Sequence, residues 1–138
     1  MRGLFVATTV LILLAGTCLA DEKAAVAQAQ TATTNWLALT DGSKYAQSWE
    51  DAASVFKAAV TKANWESALK GVRVPLGSVT SRKLRAVTFT RTLPGAPDGE
   101  YVIIQFDTQF ANKAAAVETI TPMHEKDGSW RVSGYFIK

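Results

Sequence analysis

Apolar positions recur at helical spacing through the first half of this chain and alternate, as in strands, through the second half. Over residues 21–39, the apolar residues share one helical face that ends in the large side chains of Trp36 and Leu39. The pattern therefore predicts a first helix over this range, which Asp41-Gly42 terminates.

Two further helices are predicted before the strands. Ser48-x-x-Asp51 matches a capping box, in which a hydroxyl and an acid satisfy free backbone amides, so a second helix is expected to begin there. Thr61 or Asn64 begins a third helix, and Pro75 prevents its continuation. Each helix carries a tryptophan in its apolar stripe, which favours core packing over a sugar-stacking surface.

The second half of the chain predicts four strands rich in threonine, valine, isoleucine and aromatic residues. They span residues 81–92, 100–110, 114–125 and 130–138. The short connections between them, of which Asp127-Gly128 is a strong hairpin signal, imply an antiparallel meander. The sequence thus predicts an α+β domain, in which N-terminal helices pack on one face of a four-stranded antiparallel sheet.

The first hairpin is paired about the centre of its loop at residues 93–99, and the last hairpin is paired about Asp127-Gly128. This register divides the apolar strand residues between the two sheet faces. The face expected to pack on the helices collects Leu84, Val102, Ile104, Phe106, Phe110, Met123, Trp130, Val132 and Phe136. The opposite face still holds many apolar residues, more than a water-exposed sheet face usually carries.

This second sheet face is the predicted binding surface. Its proposed members are Phe89, Ile103, Ile120 and Tyr135, with Arg85 and Asp107 paired at the rim. Exposed apolar patches mark interaction sites, and aromatic and arginine side chains contribute much of the interface energy. The alternative is that the first predicted helix covers this face and that its apolar residues belong to the core.

The N-terminal twenty residues are typical of a secretory signal peptide. Arg2 precedes an apolar run over residues 4–14, and the small residues Cys18 and Ala20 fit the positions that signal peptidase reads. Cleavage after Ala20 is expected, which leaves one periplasmic or secreted domain over residues 21–138 without stable membrane insertion. An uncleaved anchor is the alternative, although a membrane span needs about 20 apolar residues.

Composition limits the chemistry of the mature domain. Cys18 is the only cysteine, so cleavage removes any disulfide, thiolate nucleophile or cysteine-ligated metal. The whole chain has a formal net charge of +3, with basic residues scattered among acids, and export argues against nucleic acid as a partner. With a single histidine, neither a metal site nor a bound cofactor is expected.

Three titratable residues are the candidates for acid–base chemistry. His124 stands beside an acid at the end of the third predicted strand. Asp107 and Glu118 lie on neighbouring predicted strands, where two carboxylates can divide acid and base roles. Nothing in the sequence fixes a catalytic separation between them, so no catalytic residue is assigned.

A series of short motifs runs through the predicted domain. They are Arg73-x-Pro75-x-Gly77, Ser81-Arg82, Gly99-x-Tyr101, Phe110-x-Asn112-Lys113, Glu118-Thr119 and Asp127-Gly128-x-Trp130-Arg131-Val132-x-Gly134-Tyr135. The combination resembles the bacterial secreted family called domain of unknown function 4019 (DUF4019), which implies a small exported protein with no assigned activity. The last motif also resembles the terminal hairpin of nuclear-transport-factor-2-like folds, which implies a curved roll around a conical pocket.

Three classes of function are compatible with these observations. The preferred one is a non-catalytic periplasmic binding or interaction module, whose partner is an envelope protein, a small ligand or a second copy in a homodimer. The first alternative is a small pocket enzyme, such as an isomerase or lyase, that uses Asp107, Glu118 or His124. The second is an inhibitor of an envelope enzyme, acting through a protruding loop at residues 93–99.

Overall fold

Helices precede strands along residues 14–138, the part of the chain that the computed structural model describes. The helices are α1 (Leu14–Asp41), α2 (Tyr45–Glu50), α3 (Ser54–Ala59) and α4 (Lys62–Leu76), and the strands are β1 (Val79–Thr90), β2 (Tyr101–Phe110), β3 (Lys113–His124) and β4 (Trp130–Ile137). The strands form one antiparallel sheet in the order β1-β2-β3-β4. The predicted α+β class and meander are therefore confirmed. Most of the predicted signal peptide, including Arg2, lies outside the described residues.

The long helix α1 packs along the sheet through small residues. Ala25 and Ala29 form a buried cluster with Val102 and Ile104 of β2. Trp36 anchors the C-terminal half of the helix, because its indole is buried and its Nε1 donates to the backbone oxygen of Ser48 at 2.8 Å. The predicted apolar stripe and its tryptophan anchor thus form the core contact of this helix.

The sequence predicts one helix beginning at Ser48, but the chain forms the two short helices α2 and α3, and Ser48 is buried inside α2. The break lies at Ala53, whose backbone is extended and whose N–H donates to the backbone oxygen of Val132 in β4 at 2.8 Å. The carboxylate of Glu125 then accepts hydrogen bonds from the N–H and the hydroxyl of Ser54 at the start of α3. Both contacts come from residues far along the chain, so a local capping pattern cannot predict them.

Helix α4 begins after the predicted cap at Thr61 and ends at Leu76, one residue beyond Pro75. Thr61 Oγ1 accepts a hydrogen bond from the Asn64 N–H at 3.2 Å. Pro75 lies in the last turn, and the chain turns at Gly77, whose φ of 75° lies in the left-handed region. A Cβ on Gly77 would also lie only 3.1 Å from the Cβ of Ala111. Glycine at this position therefore permits both the turn and its contact with the β2–β3 connection.

One face of the sheet, here called the covered face, packs against the helices. Its buried residues form two clusters, one of Val102, Ile104 and Trp130 with Ala25 and Ala29, and one of Ile120 and Val132 with Trp36 and Leu37. Phe89 packs against the first cluster and Tyr135 against the second. Because side chains alternate along a strand, Ile103 and Asp107 of β2 point to the opposite face, here called the open face.

The pairing of β1 with β2 differs from the predicted register by one residue. Phe89 lies opposite Val102 and not Ile103. A bulge follows, in which Arg85 is the extra residue of β1. Phe89 is consequently directed to the helices, whereas the predicted register places it on the open face.

In the last hairpin, only the residues far from the turn keep the predicted register, in which Ile120 pairs with Tyr135. Towards the turn a bulge shifts the pairing by one residue, so that Val132 lies opposite Pro122. Proline has no N–H for the ladder, which favours a bulge at this position. Val132 and Tyr135 therefore both point to the covered face, although they lie three positions apart, a spacing that in a regular strand places side chains on opposite faces.

Some of the predicted core residues are buried in the structure, and others are exposed. Val102, Ile104, Phe110, Trp130 and Val132 are buried, as predicted. Leu84 and Phe136, in contrast, are 52% and 51% exposed. Leu84 lies on the edge strand β1, where no further strand covers it. Phe136 and Met123 lie on the open face. They were predicted to be core residues because the predicted register did not include the bulge in β4.

Candidate functional site

A groove of about 620 Å³ lies on the open face, at the end of the sheet near the β2–β3 turn. Lys83 and Arg85 of β1 line one side, and Lys138 lines the other. Between them, residues 114–117 of β3 form the floor, where Ala115 and Val117 direct their short side chains to the open face. Asp107 is the acidic residue of the lining, so the side-chain charge of the groove is positive.

The charges of this basic groove are mostly available to a ligand. Arg85 Nη1 lies 3.0 Å from Asp107 Oδ1, and both side chains are largely exposed to water. Neither Lys83 nor Lys138 forms an ion pair with another residue of the described part of the chain. Lys138 Nζ lies 6.0 Å from the ring centroid of the exposed Phe136.

The other end of the open face is closed by the β1–β2 loop. The hydroxyl of Tyr101 donates to the backbone oxygen of Pro97 at 2.6 Å, and the Gly99 N–H donates to the backbone oxygen of Arg91 at 3.1 Å. Tyr101 is buried beneath this loop. The loop at residues 93–99, which the inhibitor hypothesis uses, therefore folds back on the sheet.

The covered face carries a second group of polar residues, here called the buried charge cluster. Its members are Asp41, Arg73, Arg82, Thr108, Glu118 and Tyr135. Glu118 is fully buried, and Arg73 is only 4% exposed. Charged side chains at such depth require partners, since burying an unpaired charge is very costly.

Glu118 receives hydrogen bonds from three side chains. Arg82 donates from Nε to Oε1 at 2.7 Å and from Nη2 to Oε2 at 3.2 Å. The Thr108 hydroxyl donates to Oε1 at 2.6 Å, and the Tyr135 hydroxyl donates to Oε2 at 2.5 Å. These bonds occupy both carboxylate oxygens, so this group has little capacity left to act on a substrate.

Asp41 connects the same cluster to the end of α1. Its carboxylate accepts hydrogen bonds from Arg73 at 2.9 Å and from Arg82 at 2.7 Å. Burial alone would raise the pKa of Asp41, but the hydrogen bonds from Arg82 and Arg73 outweigh it and hold the pKa below its usual value. The cluster thereby ties α1 and α4 to all four strands of the sheet.

Tyr135 is held in its neutral, donating form. Burial raises the pKa of the Tyr135 phenol well above its ordinary value, and the neighbouring Glu118 carboxylate raises it further. An ionised phenol beside this carboxylate would repel it and lose the hydrogen bond. The arrangement therefore stabilises the folded domain through a proton that stays on Tyr135.

The three candidate acid–base residues do not converge on one site. Asp107 points to the open face, and Glu118 points to the covered face. His124 stacks on Trp130 at a centroid distance of 5.1 Å, and its Nδ1 lies 3.3 Å from the carboxylate of Glu100 at the opposite end of the sheet. Each candidate thus lies in a separate environment.

The six residues of the predicted binding surface are divided between the two faces. Phe89, Ile120 and Tyr135 pack towards the helices and belong to the core, which was the alternative to a binding surface. Ile103 lies on the open face with Arg85 and Asp107, whose predicted contact is present. The predicted surface is therefore not continuous, and of its members Arg85 and Asp107 line the groove.

The family comparison agrees with these observations. A family model described as a protein of unknown function, DUF4019, matches residues 32–135. The chain belongs to the DUF4019 family. No curated protein matches this DUF4019 chain. The looser similarity to nuclear-transport-factor-2-like folds receives no support, and the helices and strands of the described residues are not interleaved.

Several motifs that carried the resemblance to DUF4019 meet in this structure. Arg73, Arg82, Glu118 and Tyr135 come from four separate motifs and join in the buried charge cluster. Asn112 Nδ2 donates to the backbone oxygen of Pro75 at 3.0 Å, which fastens the β2–β3 turn to the end of α4. In this DUF4019 domain, these motif residues hold the fold together.

Within residues 14–138, no group of three or more histidine, cysteine, aspartate or glutamate side chains could hold a metal ion. Among the helices of the same range, none combines the length and the apolar character needed to cross a membrane.

Sequence reasoning missed the basic groove of the DUF4019 domain and the buried charge cluster. The run Ala114-Ala115-Ala116 inside a strand was the available signal for the groove, because alanine is depleted in strands and leaves space above the sheet. Pro122 inside a predicted strand was the signal for the bulge. The buried charge cluster had no local signal, since its members are far apart in the sequence.

Proposed function

We propose that this DUF4019 protein is an exported, non-catalytic binding module that holds its partner against the open face of the sheet. The observation that carries the proposal is the groove lined by Lys83, Arg85 and Lys138 above a floor of short apolar side chains on β3. Its exposed charges are available to a partner without any change of fold. Binding sites of this kind combine a concave surface with a few placed polar groups.

The positions of the titratable groups support a binding role over a catalytic one. An acid–base enzyme needs two such groups within reach of one substrate. Asp107 and Glu118 face opposite sides of the sheet, and Glu118 is already bonded to Arg82 and Tyr135. His124 lies at the other end of the sheet beside Glu100. Their separation favours the binding proposal.

Site-specific photocrosslinking in the native host tests the binding proposal. A photoreactive amino acid at Gln109, which is exposed in the groove, should give a discrete crosslinked product. The same amino acid at Thr34, exposed on α1, serves as the matched control. Excess unlabelled protein should compete away the Gln109 product, whereas the Lys83→Glu variant should not. Equal products from both positions, or none from Gln109, would contradict the proposal.

Export is the second part of the proposed function. The predicted cleavage after Ala20 leaves every buried side chain of the described residues in place, because the first of them along α1 is Ala25. Intact mass spectrometry of protein recovered from the host envelope should give the mass of residues 21–138. A mass that retains residues 1–20, or that carries lipid on Cys18, would overturn this part.

A further inference from the structure

Resting on the proposed function, we infer that the basic groove binds an extended acidic segment of polypeptide with carboxylates at alternate positions. The segment lies across the sheet and contacts Lys83 and Arg85 at one side and Lys138 at the other. Three features of the groove lead to this ligand class: the spacing of its cations, the small side chains of its floor and the mixed charge of its lining.

The spacing of the cations sets the size of the ligand. Lys83 and Arg85 are two residues apart on β1, which corresponds to about 7 Å along a strand. Lys138 follows β4, beyond β2 and β3, and three strand spacings amount to about 14 Å. A single carboxylate or phosphate reaches only one side of such a groove. A ligand that reaches both sides needs acidic groups separated by about four residues of extended chain.

The floor of the groove fits a polypeptide backbone. Ala115 and Val117 of β3 face the groove, and neither side chain is long enough to fill the space above the strand. The hydroxyl of Ser81 and the amide of Gln109 at the groove wall can bond to peptide N–H and C=O groups. A bound segment would thus make polar contacts along its backbone as well as at its acidic side chains.

The mixed charge of the lining favours a peptide over a uniform polyanion. The Asp107 carboxylate lies among the cations, 3.0 Å from Arg85. It would repel a chain that carries a phosphate at every repeat, but it accepts hydrogen bonds from the N–H groups of a peptide. An anionic membrane is also less suitable, because planar headgroups do not reach the floor of a concave groove. These observations select an acidic peptide.

Fluorescence anisotropy with a labelled peptide of about ten residues, in which Glu alternates with Ser, tests this inference. The alternation places carboxylates four residues apart, which is the separation that the two sides of the groove require. The exported protein should bind the peptide saturably, and added salt should weaken the binding. The double variant Lys83→Glu with Lys138→Glu should bind about tenfold more weakly or worse. Circular dichroism of the variant verifies that it is folded.

The matched control is Lys70→Glu with Lys126→Glu, which makes the same change of net charge at exposed lysines outside the groove. It should alter the peptide affinity by less than about twofold. Equal loss in both double variants would overturn the inference, because net charge alone would then explain binding. Binding to vesicles containing phosphatidylglycerol, without binding to the peptide, would also overturn it. A groove crosslink at Gln109 without peptide binding would reject the ligand class while leaving the proposed function in place.

Discussion

Two arginines three residues apart on β1 serve different purposes on the two faces of the sheet. Arg82 points to the covered face, where it pairs with the fully buried Glu118 at 2.7 Å. Arg85 sits at a bulge on the open face, where it pairs with Asp107 at 3.0 Å while both side chains remain more than half exposed. The geometry of the two ion pairs is similar, but their surroundings differ.

The surroundings decide what each pair contributes to the domain. Away from water, a charge that loses its partner has no solvent to replace it, so breaking a buried pair is strongly destabilising. At the surface, water solvates both charges and the pair contributes little to stability. The covered face therefore uses charge to join the elements of the fold, whereas the charges of the open face remain solvated.

The largest expected effect is that of Glu118→Ala, which breaks the buried charge cluster at its centre. The change leaves Arg82 and the Tyr135 hydroxyl without their carboxylate. We expect the free energy of unfolding to fall by about 3–5 kcal/mol, as for other buried pairs that lose one partner. Urea unfolding followed by circular dichroism measures the loss. A loss below about 1 kcal/mol, the range of surface pairs, would mean that the cluster is solvated.

The apolar residues of the two faces should differ in the same direction. Ile120 is fully buried in the cluster beneath Trp36, whereas Phe136 is exposed on the open face of β4. Ile120→Ala should cost about 2–5 kcal/mol, because it removes buried methyl groups and leaves a cavity. Phe136→Ala should change stability by less than about 1 kcal/mol. If thermal melts show equal losses for the two variants, the assignment of the faces is wrong.

Removing the hydrogen bond of Tyr135 should give a smaller loss of stability, and this loss should depend on pH. Tyr135→Phe removes a donor to the Glu118 carboxylate and should cost about 1.5–3 kcal/mol at neutral pH. The folded pKa of Tyr135 is raised above its unfolded value of about 10. Its stabilisation is therefore complete below about pH 10 and is lost as the pH rises further, since the unfolded state releases the proton first.

Urea unfolding between pH 8 and about pH 11, where the unfolded phenol titrates, tests this dependence. The Tyr135→Phe variant should lose less stability over this range than the original protein does. Tyr45→Phe, a partly exposed tyrosine on α2, is the matched control and should keep the original slope. Parallel curves for all three proteins would contradict the buried and neutral state of Tyr135.

The elements of the fold could be predicted from the sequence, because their signals are local. The helical stripe that ends at Trp36, the cap at Thr61 and the four strands with their order depend on residues close together in the chain. The division of α2 from α3 could not be predicted in this way. It depends on the Ala53 N–H bonding to Val132 and on Glu125 bonding to Ser54, both across long sequence separations.

The assignment of the faces failed for a related reason. Side chains alternate along a strand, so one extra residue reverses every assignment beyond it. The bulges at Arg85 and next to Pro122 each have this effect, and they direct Phe89 and Tyr135 to the helices. The contact between Arg85 and Asp107 was nevertheless predicted, because a long arginine side chain reaches its partner in either register.

Breaking the exposed pair of Arg85 and Asp107 should change stability least. Arg85→Ala and Asp107→Ala should each change the free energy of unfolding by about 0.2–1 kcal/mol at most, because both charges stay solvated when the partner is removed. A double-mutant cycle of the two changes isolates their coupling, which should shrink further in salt. A coupling above about 2 kcal/mol that resists salt would be typical of a desolvated pair. Such a value would mean that this face is covered in the folded protein, and it would remove the basis for a binding groove there.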